Sequence, residues 1–139
     1  MKKLSIIIIF VLLISLVGCI GNYYYNYEDL KESVEEVEII EITNEGKTIE
    51  DFKFIRKLND EEKDEFMQDL AKIEFVYPFG DPYDFKDGIA FRIGYCNQEY
   101  EIISELTTKR YKEDIEISWR KRNCSEEDFD NLISKYLNE

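Results

Sequence analysis

The alternation of apolar and polar residues divides this chain into one continuous apolar block and a series of amphipathic segments. The block runs from Leu4 to Val17 and is interrupted only by Ser5 and Ser15. The later segments change between a repeat of two residues, typical of strands, and a repeat of three to four, typical of helices. The pattern therefore predicts an α+β domain behind a short apolar leader.

Two strands are predicted ahead of the first long helix. The segment from Val37 to Ile42 alternates, but its phase slips between Ile39 and Ile40, which predicts a β-bulge or a strand buried on both faces. The segment from Phe52 to Leu58 follows the turn residues Asn44 to Lys47. We expect the two strands to form a hairpin.

Two amphipathic helices are predicted with their caps. Asn59 is a favourable N-cap and Glu62, three residues later, completes a capping box for a helix from Asp60 to Phe75. Ser125 caps the last helix. The apolar stripes of the two helices contain Phe66, Leu70 and Ile73, and Phe129, Leu132, Ile133 and Tyr136.

Three more strands are predicted between these helices. Each alternates apolar with polar residues; a tight reversal at Asn97-Gln98 separates the first two, and the third comes after Thr107-Thr108. The apolar positions are Ile89, Phe91, Ile93 and Tyr95, then Tyr100 and Ile102 opposite Glu99 and Glu101, then Ile115, Ile117 and Trp119.

The predicted order is β-β-α-β-β-β-α. Because the strand connections after Ile89 are short, the sheet should be antiparallel, with one face solvated. The two amphipathic helices should pack on the other face. Trp119 should be buried beneath one of them.

The residues Leu16-Val17-Gly18-Cys19 follow the basic pair Lys2 and Lys3 and the apolar block. This ending resembles the lipobox of bacterial lipoproteins. The resemblance implies that residues 1–18 are a signal peptide that is removed and that Cys19 becomes a lipidated N-terminus. Residues 19–30 would then be a Tyr-rich tether and residues 31–139 a single α+β domain on the extracytoplasmic face of the cell membrane. An uncleaved membrane helix is less favoured, because the apolar block is shorter than the ~20 residues that span a bilayer.

The chain is strongly acidic, with 31 acidic and 18 basic residues and a net charge of −13. Without Lys2 and Lys3, 16 basic side chains remain against 31 acidic ones, a net charge of −15. Such a field repels nucleic acid and anionic head groups and favours a cationic protein or peptide. Membrane attachment must then come from acyl chains at Cys19.

The chain contains no histidine. Serine–histidine and cysteine–histidine catalysis and histidine zinc sites are therefore excluded in their usual forms. Paired carboxylates could hydrolyse cell-wall sugars, but no pair stands out among the acids. We expect a protein that is not an enzyme and needs no cofactor.

The cysteines other than Cys19 leave two alternatives open. Cys96 and Cys124 could form a disulfide outside the membrane, or they could stay unpaired, since strands two places apart are farther from each other than a disulfide allows. The loop from Asp81 to Gly88 spaces its acids by three residues, which departs from the EF-hand pattern. No metal site is predicted.

Four aromatic residues crowd the Pro/Gly-containing loop from Tyr77 to Gly88: Tyr77, Phe79, Tyr83 and Phe85. Clustered exposed aromatics would mark a partner contact. The alternative is that they fold down onto the sheet as a lid.

The chain as a whole resembles, in composition, small acidic lipoproteins of AT-rich Gram-positive bacteria. We expect a non-catalytic binding or envelope component, with an immunity-type factor that binds a cationic protein or peptide as the alternative and a cell-wall sugar hydrolase as the outsider.

Overall fold

The computed structural model describes residues 3, 5–8, 22–76, 84–121 and 124–137. In chain order the strands are β1 (Asn22–Tyr23), β2 (Val34–Ile42), β3 (Phe52–Lys57), β4 (Phe75–Val76), β5 (Gly88–Tyr95), β6 (Glu99–Ile103), β7 (Thr107–Lys112) and β8 (Ile115–Lys121). The helices are α1 (Tyr27–Ser33), α2 (Asp60–Lys72) and α3 (Glu126–Leu137).

Six strands form one antiparallel sheet in the order β3-β2-β5-β6-β7-β8, and β1 pairs with β4 in a separate ribbon. The predicted α+β class with an antiparallel sheet is confirmed. Helix α2 begins with the capping box of Asn59 and Glu62, in which each side chain accepts a hydrogen bond from the other residue's backbone nitrogen.

The predicted element order lacks several strands. Thr107 and Thr108 were expected between two strands, but both are buried in β7, where their β-branched side chains suit a strand. The turn lies one step earlier, where Ser104 hydrogen-bonds the Thr107 carbonyl through its amide and its hydroxyl. Glu113 and Asp114, both with positive φ, form the two-residue reversal into β8.

One face of the sheet carries the larger core. The Phe91 ring lies 4.7 Å from Phe66 of α2 and 6.1 Å from Phe129 of α3, measured between ring centroids. Ile39 and Ile93 are fully buried in the same cluster. Residues from α2 and α3 therefore pack on this face, which we call the helix face.

The opposite face is not solvated as expected, because it carries a second core. That core contains Ile40, Ile42, Phe85, Ala90, Tyr100, Ile102 and Tyr111. Strand β2 serves both cores: Ile39 belongs to the first and Ile40 to the second, and its pairing with β3 shifts register between these two residues. The predicted bulge and the predicted two-sided burial both occur.

The sheet curls around this second core. The rings of Phe52 in β3 and Tyr111 in β7 lie 5.9 Å apart, although four strand spacings of a flat sheet would place them about 19 Å apart. Strand twist that accumulates across six strands produces such a curl. The two edges of the sheet are thereby brought toward each other.

The expected burial of β8 was wrong for two of its three apolar residues. Ile115 is 67% exposed and Ile117 is 48% exposed. Strand β8 is the edge of the sheet, and its pairing with β7 shifts register between Arg110 and Tyr111, so the alternation does not point into a core. The side chain of Trp119 lies outside the described part of the structure.

Candidate functional site

A cleft of about 330 Å³ lies between the two edges of the curled sheet. One wall is the connection between β2 and β3, and the other is the β7–β8 hairpin. The lining residues are Glu45, Gly46, Lys47, Thr48, Ile49, Phe52, Asp84, Lys109, Tyr111, Asp114 and Glu116. We call it the edge cleft.

The first wall depends on an unusual backbone. Asn44, Glu45 and Gly46 have φ values of 49°, 57° and 64°. At Gly46 a Cβ atom would lie 2.8 Å from ring carbons of Phe52 and Phe85, so the wall can pack on these rings only where a side chain is absent. Asp87 holds the wall from outside, because its carboxylate accepts a hydrogen bond from the Glu45 amide at 2.7 Å.

The edge cleft has an excess of negative charge. Four carboxylates (Glu45, Asp84, Asp114 and Glu116) stand against two ammonium groups (Lys47 and Lys109). The Lys109 ammonium lies 3.8 Å from the Glu116 carboxylate and 5.1 Å from the centroid of the Phe85 ring. The cleft therefore favours a cation that can also contact aromatic rings.

Two tyrosines connect the cleft to the second core. The rings of Tyr100 and Tyr111 stack with their centroids 5.0 Å apart. Burial, together with the hydrogen bond that the Tyr100 hydroxyl donates to Asp114, raises the pKa of Tyr100 to about 12. Burial and the nearby Glu116 carboxylate raise the pKa of Tyr111. Both hydroxyls therefore stay neutral at physiological pH.

Glu101 is a buried carboxylate that the alternation of residues did not predict. Glu101 was expected on a solvated face, but it is only 5% exposed, because Tyr100 and Ile102 turn into the second core and leave Glu101 on the helix face. The Tyr25 hydroxyl donates a hydrogen bond to it, and Arg110 is its partner in strand register. The opposite charges on β6 and β7 were a signal that could have indicated this pairing.

The predicted partner-contact residues are mostly not described. Tyr77, Phe79 and Tyr83 lie outside the described residues, and so does Cys19, the predicted site of lipidation. Phe85 is 1% exposed, with its ring edge-on to Phe52 at 5.7 Å between centroids, as in the alternative in which these aromatics fold down onto the sheet. It acts as the lid of the second core.

Cys96 and Cys124 are not bonded to each other in the structure. Cys96 is exposed in the β5–β6 turn, where its amide donates to the Ser33 carbonyl at 2.8 Å. Cys124 is buried just before α3. With β7 added to the sheet, β5 and β8 are three places apart rather than two, or about 14 Å in a flat sheet.

No group of three or more cysteine, aspartate or glutamate side chains that could hold a metal ion occurs in the described residues, 3, 5–8, 22–76, 84–121 and 124–137. Within the same ranges, no helix is both long enough and apolar enough to cross a membrane. Comparison with protein-family models, with curated proteins and with solved structures finds no match.

Proposed function

We propose that this protein is a non-catalytic binding component held on the extracytoplasmic face of a bacterial cell membrane by lipid on Cys19. The support for the anchor is the order of residues at the start of the chain: Lys2 and Lys3, an apolar block, then Gly18 directly before Cys19. Two acyl chains on that cysteine would hold a strongly acidic protein at a membrane without a basic patch.

The observation that supports the binding role best is the edge cleft. It combines carboxylates with the aromatic side chains of Phe52 and Tyr111 in a protein of high net negative charge. A lysine- or arginine-rich segment complements both features, because its charge is attracted and its alkyl stems and head groups contact rings. An immunity-type factor that captures a cationic protein or peptide is the specific form of this role.

The carboxyl groups with shifted pKa values do not resemble a general acid. Hydrogen bonds from Arg56 and from Tyr27 hold the pKa values of Glu62 and Asp64 below their ordinary range. A glycosidase acid needs the opposite shift. We therefore favour a binding protein over a sugar hydrolase as the function of this chain.

The anchor is tested with Cys19→Ser. Mass spectrometry of the membrane fraction should show a mature N-terminus at Cys19 with diacylglycerol attached to its sulfur. The variant should keep its leader and lack this modification, because the sulfur is the atom that is alkylated. A variant that is still cleaved before residue 19 and stays equally membrane-bound would contradict the anchor.

The binding role is tested by titrating the mature protein, in neutral detergent, with a lysine-rich peptide. The affinity should fall as salt rises, since screening weakens exposed charge pairs. Asp114→Asn with Glu116→Gln should weaken binding severalfold, because two cleft charges are lost.

The matched control is Glu32→Gln with Asp130→Asn, which removes two charges from exposed helical positions outside the edge cleft. It should change the affinity much less. Equal losses in both variants would mean that net charge attracts the peptide without the cleft. An affinity that ignores salt would contradict the electrostatic basis altogether.

A further inference from the structure

The chain is fixed to the domain only three residues after the proposed lipidation site. Asn22 and Tyr23 pair with Val76 and Phe75 as a β-ribbon. This ribbon begins well before residue 30, the predicted end of the tether.

The residues that follow hold this segment in place. The Tyr25 ring lies edge-on to Phe75 at 5.6 Å between centroids, and Tyr25 and Leu30 are 6% and 4% exposed. Asn26 caps α1 by accepting a hydrogen bond from the Asp29 amide at 3.1 Å. The segment from Asn22 to Leu30 is thus part of the domain and adds no length to a tether.

Covalent geometry then limits how far the domain stands from its anchor. Three peptide units join Cys19 to Asn22, so their Cα atoms lie no more than about 11 Å apart in any backbone conformation. That distance is close to the ~8 Å Debye length at physiological salt. A domain with a net charge of −15 held so close must turn a weakly charged surface toward anionic lipid.

The ribbon supplies such a surface. Residues 22–27 and 72–76 contain one basic residue, Lys72, and one acidic residue, Glu74, and so have no net charge. Tyr24 is 53% exposed between the buried or half-buried Tyr23 and Tyr25. A tyrosine suits the head-group region, where an apolar ring and a polar hydroxyl are both stabilised.

We propose that this ribbon surface, residues 22–27 with 72–76, lies against the lipid head groups with the Tyr24 ring inserted among them. The inference rests on the proposed lipidation of Cys19. It also orients the molecule: Tyr25 contacts Glu101 on the helix face, whereas Tyr100, the residue before Glu101, turns into the second core beneath the edge cleft. The cleft would therefore face away from the bilayer.

The experiment uses the full lipidated chain reconstituted in phosphatidylcholine vesicles with or without brominated acyl chains. Tyr24→Trp is compared with Phe54→Trp, a matched probe because Phe54 is 63% exposed on β3 and aligned with Ile40 of the second core. The unsubstituted protein supplies the background fluorescence of Trp119. We expect severalfold stronger quenching by brominated lipid at position 24 than at position 54.

Flotation of the same vesicles separates the two parts of the inference. Protein that fails to float would contradict lipidation at Cys19. Protein that floats but is quenched equally at both positions, or more at position 54, would overturn the ribbon surface and leave the anchor standing. Insertion of a ten-residue Gly-Ser linker between Gly21 and Asn22 should preserve flotation and reduce quenching at position 24, and unchanged quenching would overturn the role of the short connection.

Discussion

At the scale of single residues, Glu101 is the side chain that depends most clearly on a specific hydrogen-bond donor. A carboxylate that is 5% exposed needs donors close to it, because desolvation without hydrogen bonds costs several kcal/mol. The Tyr25 hydroxyl is one such donor, and it comes from a segment 76 residues away in the chain. The hydrogen bond therefore also fixes the N-terminal segment on the sheet.

Tyr25→Phe should lower the free energy of unfolding by about 1–3 kcal/mol, since it removes one donor from a buried charged acceptor. The measurement is urea unfolding at neutral pH. Tyr24→Phe is the matched control, because Tyr24 is adjacent and 53% exposed, and it should leave the free energy of unfolding nearly unchanged. Equal effects of the two substitutions would contradict the role given to the Tyr25 hydroxyl.

Residues such as Glu101 and Phe85 could not be placed from the sequence. Alternation says which residues share a face of a strand but not which face carries a core, and here both faces do. Glu101 was assigned to solvent because only one buried face was assumed. Phe85 has no periodic neighbours, and only the curl of the sheet brings Phe52 and Gly46 over it.

At the scale of elements, the sequence predicted the helix starts correctly, because a helix cap depends on residues that are close together in the chain. The caps at Asn59 and Ser125 are present, with the Asp128 amide donating to the Ser125 hydroxyl at 3.0 Å. Strand β7 was not predicted, because the charged residues Lys109 and Arg110 lie between its buried residues and make the segment look exposed. Lys109 lies near the Phe85 ring, and Arg110 lies 4.3 Å from the centroid of the Tyr95 ring.

Helices α2 and α3 are joined by a small polar cluster around Asp69. Its carboxylate accepts hydrogen bonds from the Lys135 ammonium at 2.7 Å and from the Tyr136 hydroxyl at 2.6 Å. Burial acts to raise the pKa of Asp69, but these hydrogen bonds outweigh it, and the pKa lies below its ordinary value. The unfolded chain therefore binds a proton here at a higher pH than the folded one does.

This difference predicts a pH dependence of stability. The contribution of Asp69 is fully present above its unfolded pKa of ~3.9 and is lost as the pH falls through the lower folded value. Asp69→Asn should be less stable at neutral pH and should lose less stability between pH ~5 and ~2. Asp130→Asn, at an exposed position on α3, should keep the unsubstituted slope. Identical slopes for all three proteins in urea unfolding would contradict the linkage.

At the scale of the whole molecule, charge is the property that the sequence determined best, because it needs no knowledge of the fold. Some ion pairs in the described part of the structure lie on the surface, such as Lys57 with Glu36 at 2.9 Å, and such pairs contribute little to stability because water screens them. The net charge of −13 acts in the opposite direction, since excess like charges repel one another more in the compact state. Repulsion across the molecule should therefore exceed the gain from exposed pairs.

The test is the melting temperature of the protein in rising NaCl. The Debye length falls from ~30 Å at 0.01 M salt to ~10 Å at 0.1 M, so added salt should weaken long-range repulsion before it weakens the close ion pairs. The melting temperature should therefore rise. Glu32→Lys with Asp130→Lys, at exposed positions, lowers the net negative charge and should reduce this rise. A melting temperature that falls with salt in the unsubstituted protein would show that the ion pairs outweigh the repulsion.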